Sequence, residues 1–163
     1  MLTEEDRAIY EWQLDVAGFG EEGQEKLRNT TALVSRIGGL GGPIAFALAA
    51  AGIGKLILAH AGNLRKDDLN RQILMQWEGL GKPRVESAAK TLAAFNPKVE
   101  VEIHNENFSE TNAAALVSKA DIVFSSAPLF EERFLMNREC VRQNKPMVDC
   151  AMYSLEGHFM AIV

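Results

Sequence analysis

Thr31-Ala-Leu-Val-Ser35, followed by Arg36-Ile-Gly38-Gly39-Leu-Gly41-Gly42-Pro43-Ile44, is the stretch that decides the fold. Its first five residues form a short, mostly apolar run of strand length. Arg36 to Pro43 is a glycine-rich turn. Ile44 to Ala51 reads as a helix that is apolar all round, which predicts burial, and Gly52 suits its C-terminal cap. Lys55-Leu-Ile-Leu-Ala59 is a second apolar strand. Strand, glycine turn, helix and strand in close succession make a βαβ unit, whose crossover is right-handed.

The same alternation extends in both directions. Upstream, Thr3-Glu4-Glu5-Asp6 is a variant of the capping box that opens a helix, and Gly23 to Arg28 is an amphipathic turn after Gly18-Phe19-Gly20. Downstream, Pro83 to Phe95 is a helix with Val85, Ala88, Ala89, Leu92 and Phe95 on one stripe. Val99 to His104 alternates as a half-exposed strand. Glu110 to Ser118 reads as a short helix capped by Ser109, and Ile122 to Phe124 as a buried strand. Phe130 to Gln143 is a helix with Phe130, Phe134 and Val141 on one side. Pro146 to Asp149 and Gly157 to Val163 complete the series as strands, and Trp12, Trp77 and Phe19 are expected to pack. Alternating strands and helices predict a doubly wound, mostly parallel sheet with helices on both faces.

The 163 residues suffice for one α/β domain with a sizeable core. An apolar share of 47% with 24% charged residues excludes a disordered chain. Seventeen Lys+Arg against 22 Asp+Glu leave a net charge of −5 with no basic stripe, so no nucleic-acid partner is expected. The apolar run from Pro43 to Ile53 is too short to span a bilayer, and the acidic N-terminus lacks a signal peptide's basic start. No membrane partner is expected, and the reading is a cytoplasmic protein. Cys140 and Cys150 have no metal-ligand spacing and read as buried small hydrophobes. His60, His104 and His158 are scattered; a three-His zinc site is the weaker reading beside surface or packed histidines.

In an open parallel sheet, ligands bind at the carboxyl ends of the strands, and the first βα turn cradles phosphate through backbone N–H groups. Gly38, Gly39, Gly41 and Gly42 provide that geometry; the plain alternative is that they only permit close helix–strand packing. Two elements of the dinucleotide fingerprint are replaced, since Arg36 stands at its first glycine and His60 where the ribose acid belongs. These replacements count against a nicotinamide oxidoreductase, and a P-loop is excluded because no Gly-Lys-Ser/Thr follows. Asn70, Arg71 and Gln72 follow the second strand. Lys82 and Arg84 put two cations at a helix N-terminus, against its dipole, so they face an anion such as a triphosphate or form a solvated patch.

Gly18-Phe-Gly-Glu-Glu-Gly-Gln-Glu-Lys-Leu27, Gly38-Gly-Leu-Gly41, Leu69-Asn-Arg-Gln72, Gly81-Lys-Pro83 and Asn96-Pro97 together resemble the ThiF/MoeB superfamily, which includes the adenylation domains of ubiquitin-activating enzymes. Asp68-Leu-Asn-Arg-Gln-Ile-Leu-Met75 and Gly81-Lys-Pro-Arg-Val85 are most similar to its HesA branch, associated with nitrogen-fixing cells. The resemblance implies a Rossmann-like fold, with residues 1–163 forming one nucleotide-binding domain that lacks the family's C-terminal part. It implies an ATP-dependent adenylyltransferase that activates the C-terminal carboxylate of a ubiquitin-like sulfur-carrier protein, for cofactor or metal-cluster biosynthesis linked to nitrogen fixation. Gly38, Gly39 and Gly41 would lie against ATP, His60 would stand at the ribose, and Asn70, Arg71 and Lys82 would contact the nucleotide. Arg71 and Lys82 would carry the catalytic charge stabilisation on its phosphates. A homodimer is implied, and zinc only with a C-terminal part, since the family's cysteine pairs would lie beyond Val163. The family's magnesium-associated Asp falls at Pro128, and Trp12 stands at its trans-acting Arg. These replacements keep a second reading open, a catalytically degenerate member that binds the carrier or another partner as a scaffold.

Overall fold

The computed structural model describes residues 1–163 in full. Three short helices, α1 (Glu4–Ile9), α2 (Glu11–Leu14) and α3 (Gly20–Arg28), precede the first strand. The order then runs β1 (Thr31–Ser35), α4 (Gly41–Ala51), β2 (Lys55–Ala59), α5 (Arg84–Phe95), β3 (Glu100–His104), α6 (Ala113–Ser118), β4 (Ile122–Ser125), α7 (Phe130–Gln143), β5 (Met147–Tyr153) and β6 (Glu156–Ile162). The six strands form one sheet in the order β3-β2-β1-β4-β5-β6. All neighbours are parallel except β5 and β6, an antiparallel hairpin at one edge. This is the Rossmann-like arrangement expected from the βαβ pattern, and the winding reverses between β1 and β4.

The central strands are apolar in both directions because both faces of the sheet are covered. Ala32 and Val34 of β1 and Leu56 and Leu58 of β2 join the core formed with α4 and α5. Leu33 and Ile57, one residue out of phase, enter the opposite core with Leu116 and Val117 of α6 and Met136 and Cys140 of α7. Truncating a fully buried side chain such as Leu58 to alanine would cost about 2–5 kcal/mol. Gly41 places the start of α4 directly on the end of β1: an added Cβ would lie 2.6 Å from the Arg36 carbonyl oxygen. Gly52 closes α4 in the left-handed conformation, φ +87°, as its position after the apolar run predicts.

The N-terminal helices are tied down by polar contacts. Thr3 and Asp6 form the predicted capping box. The buried Asp6 carboxylate also accepts from Arg28 Nη1 at 2.9 Å and Lys98 Nζ at 2.7 Å. Gln13 and Gln24 both donate to the Ala51 carbonyl, and Asn96 donates to Tyr10 Oη.

Several local readings are corrected. Helix α6 starts at Ala113 rather than Glu110, and Ser109 does not cap it; its amide instead donates to Asn112 Oδ1. Helix α4 buries only one stripe, leaving Ala47 and Ala50 exposed despite its apolar composition. Small alanines make that exposure cheap. Phe130, Phe134 and Val141 do share one side of α7, but it is the exposed side; Leu135, Met136 and Cys140 face the core. Trp12 and Trp77 do not pack: they are 86% and 66% exposed. Phe95 is half-exposed but rests on Phe46, with ring centroids 4.3 Å apart.

Candidate functional site

The carboxyl ends of β1, β2 and β4, with the start of α7 and the β5–β6 hairpin, enclose a cleft of about 940 Å³. Its floor lies at the switch point, where this sheet topology puts a ligand. Gly38 and Gly39 line it. An added Cβ on Gly38 would reach the Gln72 side chain at 3.5 Å, and one on Gly39 the Arg71 side chain at 3.4 Å. The loop is therefore covered by the polar segment after β2. The amides of Gly39 and Leu40 donate to no acceptor in the protein, which leaves them for an anion at the start of α4. Gly41 does not line the cleft; its contacts are those of helix–strand packing.

Four arginines line the cleft: Arg36, Arg71, Arg84 and Arg133. Three are committed to carboxylates. Arg36 bridges from the loop to Glu132 in the first turn of α7, donating through Nε at 2.9 Å and through Nη2. Arg84 donates to Asp68 through Nε at 3.1 Å and Nη2 at 2.7 Å. Arg133 holds Asp149 of β5 through Nε and Nη2 and lies 3.2 Å from His158 Nε2. Arg71 is the exposed member, and its Nη1 donates to the Asp67 carbonyl and to Asn70 Oδ1.

Asp68 is saturated. Its Oδ1 also accepts from Gln72 Nε2 at 2.6 Å, and its Oδ2 accepts from the Arg65 amide at 2.9 Å. Burial opposes its ionisation, but the Arg65 amide and the Arg84 guanidinium outweigh that and hold its pKa below the ordinary carboxylate range. His60 behaves in the opposite way. Burial, reinforced by the Arg84 and Arg36 charges, pushes its pKa down to about 4, so the imidazole is neutral at pH 7.

Buried polar atoms without a partner point to the same place. His60 Nδ1, Gln72 Oε1, Ser125 Oγ and Ser126 Oγ lack hydrogen bonds, and all but Ser125 belong to residues that line the cleft. Such orphans are rare in folded proteins and mark where a polar ligand would complete the structure.

The site residues named from sequence thus separate. Gly38, Gly39, His60 and Arg71 line one cleft. Asn70 reaches it only through Arg71, and the exposed Lys82 is outside its lining. Of the two cations at the start of α5, Arg84 faces the cleft and finds its anion in Asp68, within the protein. Sequence reasoning missed the three arginine–carboxylate pairs, because their members lie 16 or 96 residues apart. Asp68, Gln72 and Arg84 nevertheless belong to the motif segments Asp68–Met75 and Gly81–Val85.

A magnesium ion fits this cleft poorly. Pro128 lines it and has no side-chain ligand, and Asp68 is already engaged by Arg84, Gln72 and the Arg65 amide. Glu156, on the exposed hairpin, is the remaining carboxylate in the lining. No three His, Cys, Asp or Glu side chains converge on a point that could hold a metal. No helix is long and apolar enough to cross a membrane.

Fold and cleft are those of a Rossmann-like α/β protein with its ligand site at the switch point. The chain belongs to the ThiF family, whose sequence pattern matches residues 10–163. It is 44% identical over 162 residues to "Protein HesA, vegetative" of Trichormus variabilis, covering 99% of this chain and 61% of that one. It is 34% identical over 155 residues to the sulfur carrier protein adenylyltransferase of Thermus thermophilus, covering 95% and 57% respectively. The chain therefore spans about three fifths of the length of these relatives. Among solved structures it superposes on E. coli tRNA N6-threonylcarbamoyladenosine dehydratase, in a complex with ATP, with a TM-score of 0.84. That match covers 91% of this chain and 61% of the other at 23% identity, a likeness of fold.

Proposed function

We propose that this chain is the nucleotide-binding part of an ATP-dependent adenylyltransferase that activates the C-terminal carboxylate of a ubiquitin-like sulfur-carrier protein. The observation that carries the reading is the cleft at the switch point, where unpaired loop amides, the exposed Arg71 and unpartnered buried polar atoms surround one space. Membership of the ThiF family and the likeness to a sulfur carrier protein adenylyltransferase support this chemistry. The structural neighbour solved in a complex with ATP supports the ligand.

In this reading Gly38 and Gly39 bring the backbone close to the phosphates, and Gly41 seats the start of α4 behind them. His60 faces the ribose, and Asn70 orients Arg71. The carrier's carboxylate oxygen attacks the α-phosphorus, the bond to the β,γ-unit breaks, and pyrophosphate leaves with the electron pair. An acyl-adenylate results. Arg71 stabilises negative charge on the phosphates, and the exposed Lys82 before α5 is assigned the same role. A homodimer in the cytoplasm and a role in cofactor or metal-cluster biosynthesis linked to nitrogen fixation belong to the same proposal. The likeness to HesA supports that last element. Exchange of labelled pyrophosphate into ATP, dependent on a carrier protein, is the expected result; no exchange at any carrier concentration would overturn the reading.

A second reading is a scaffold that binds the carrier without activating it. Trp12, His60 and Pro128 together favour it, because each stands where the family resemblance places a functional side chain. Carrier binding that is tight and indifferent to ATP is its expected signature, and ATP-dependent modification of the carrier would refute it.

A further inference from the structure

We infer that the Arg36 guanidinium, oriented by Glu132, donates its remaining N–H groups to nucleotide phosphate in a cleft whose own carboxylates do not fit a divalent ion. The inference rests on the proposal that the cleft takes ATP, and concerns how it does so. Three observations converge.

The first is the backbone. Arg36 adopts φ +54°, a left-handed conformation that strains any residue with a Cβ and that glycine adopts freely. A residue kept in that conformation at a cost in backbone strain is usually held for what its side chain does. Here Arg36 lines the cleft with only 18% of its side chain exposed, and its guanidinium reaches Glu132 in the first turn of α7.

The second is the holding partner. Glu132, itself nine-tenths buried, grips the guanidinium by two nitrogens. An arginine has five N–H donors, so three remain for another acceptor. A planar guanidinium oriented in this way matches the oxygens of a phosphate without first losing its own freedom. The amides of Gly39 and Leu40, which donate to nothing in the protein, lie along the same loop.

The third is the poverty of metal ligands. Asp68 gives its oxygens to Arg84, Gln72 and the Arg65 amide. Asp149 and Glu132 are each paired with an arginine. Pro128 offers no donor. Magnesium is normally taken up by one or two carboxylates together with phosphate oxygens, and the buried carboxylates here are spent.

The test is titration calorimetry of ATP into the full chain, in excess EDTA and in millimolar magnesium, with the wild type and with Arg36→Met, Arg36→Lys and Arg36→Gly. Wild-type affinities in the two conditions are expected to agree within about threefold. Arg36→Met is expected to lose about tenfold or more in both, and Arg36→Lys to lose less, since it keeps the charge but not the fork. Arg36→Gly guards against misfolding, because it relieves the backbone while removing the same charge, and its affinity should match that of Arg36→Met. Binding by the wild type only with magnesium would overturn the inference and leave the ATP reading standing. So would unchanged affinity in Arg36→Gly. Failure of the wild type to bind ATP in either condition would overturn both.

Discussion

His60 is the residue where charge state and position matter together. Burial disfavours its charged form, and the charges of Arg84 and Arg36 act in the same direction, with Asp68 the opposing anion. The folded pKa of about 4 lies below the unfolded value of 6.5, so the unfolded chain takes up a proton that the folded chain refuses. Stability is therefore full above pH 6.5 and falls as the pH drops towards 4, by about 3 kcal/mol for this residue. Urea unfolding at pH 7, 5 and 4 should show that slope in the wild type and a correspondingly shallower one in His60→Gln; parallel curves would contradict it. The substitution itself was visible in the sequence. Its neutrality was not, because it arises from two arginines that lie 24 residues either side of it in the chain.

At the scale of the element, the glycine loop does two jobs at separate positions. Gly41 lets α4 start on top of β1: an added Cβ would meet two backbone oxygens, those of Arg36 and Ser35, at 2.6 and 3.0 Å. Backbone cannot step aside, so Gly41→Ala should destabilise the fold by about 2 kcal/mol or more and lower Tm by about 4 °C or more in calorimetry. Gly39→Ala meets only the flexible Arg71 side chain at 3.4 Å. It should keep Tm within about 2 °C while weakening ATP binding, because the added methyl stands on the nucleotide side. Of the two readings that composition left open, close packing is realised at Gly41, while Gly39 lines the cleft as the phosphate reading requires. The N-terminal helices give another case. Lys98 and the Thr3 amide hold the Asp6 carboxyl well below the usual carboxylate range, so its contribution is present above about pH 4 and lost on acidification. Asp6→Asn should loosen residues 1–16 ahead of the sheet, seen as faster amide exchange there than in β1 and β2.

Over the whole molecule, the reversal of winding between β1 and β4 gathers residues as far apart as Arg36 and His158 around one cleft. A ligand bound there bridges both halves of the sheet and stabilises the folded state alone. ATP at about 100 times its dissociation constant should add about 2.7 kcal/mol and raise Tm by about 5–10 °C. A Tm that stays constant up to millimolar ATP would argue against nucleotide binding and favour the scaffold. The β5–β6 hairpin closes the cleft on one side and is the sheet's antiparallel edge, a feature the strand pattern located but could not orient.

The strand–glycine turn–helix–strand unit, the doubly wound sheet and membership of the family are legible along the chain. Each of these depends on periodicity and on motifs contiguous in the chain, such as Gly38–Gly42 and Leu69–Gln72. Helix faces were less legible: Phe130, Phe134 and Val141 mark an apolar side of α7 that the sheet does not cover. Which charges meet is set by the folded arrangement. Arg36 finds Glu132 across 96 residues, Arg84 turns to Asp68 while its neighbour Lys82 stays in solvent, and Arg133 takes Asp149. The physical reason is that ion pairing in a cleft depends on distance in space and on shielding from water, which the spacing of residues along a chain does not encode.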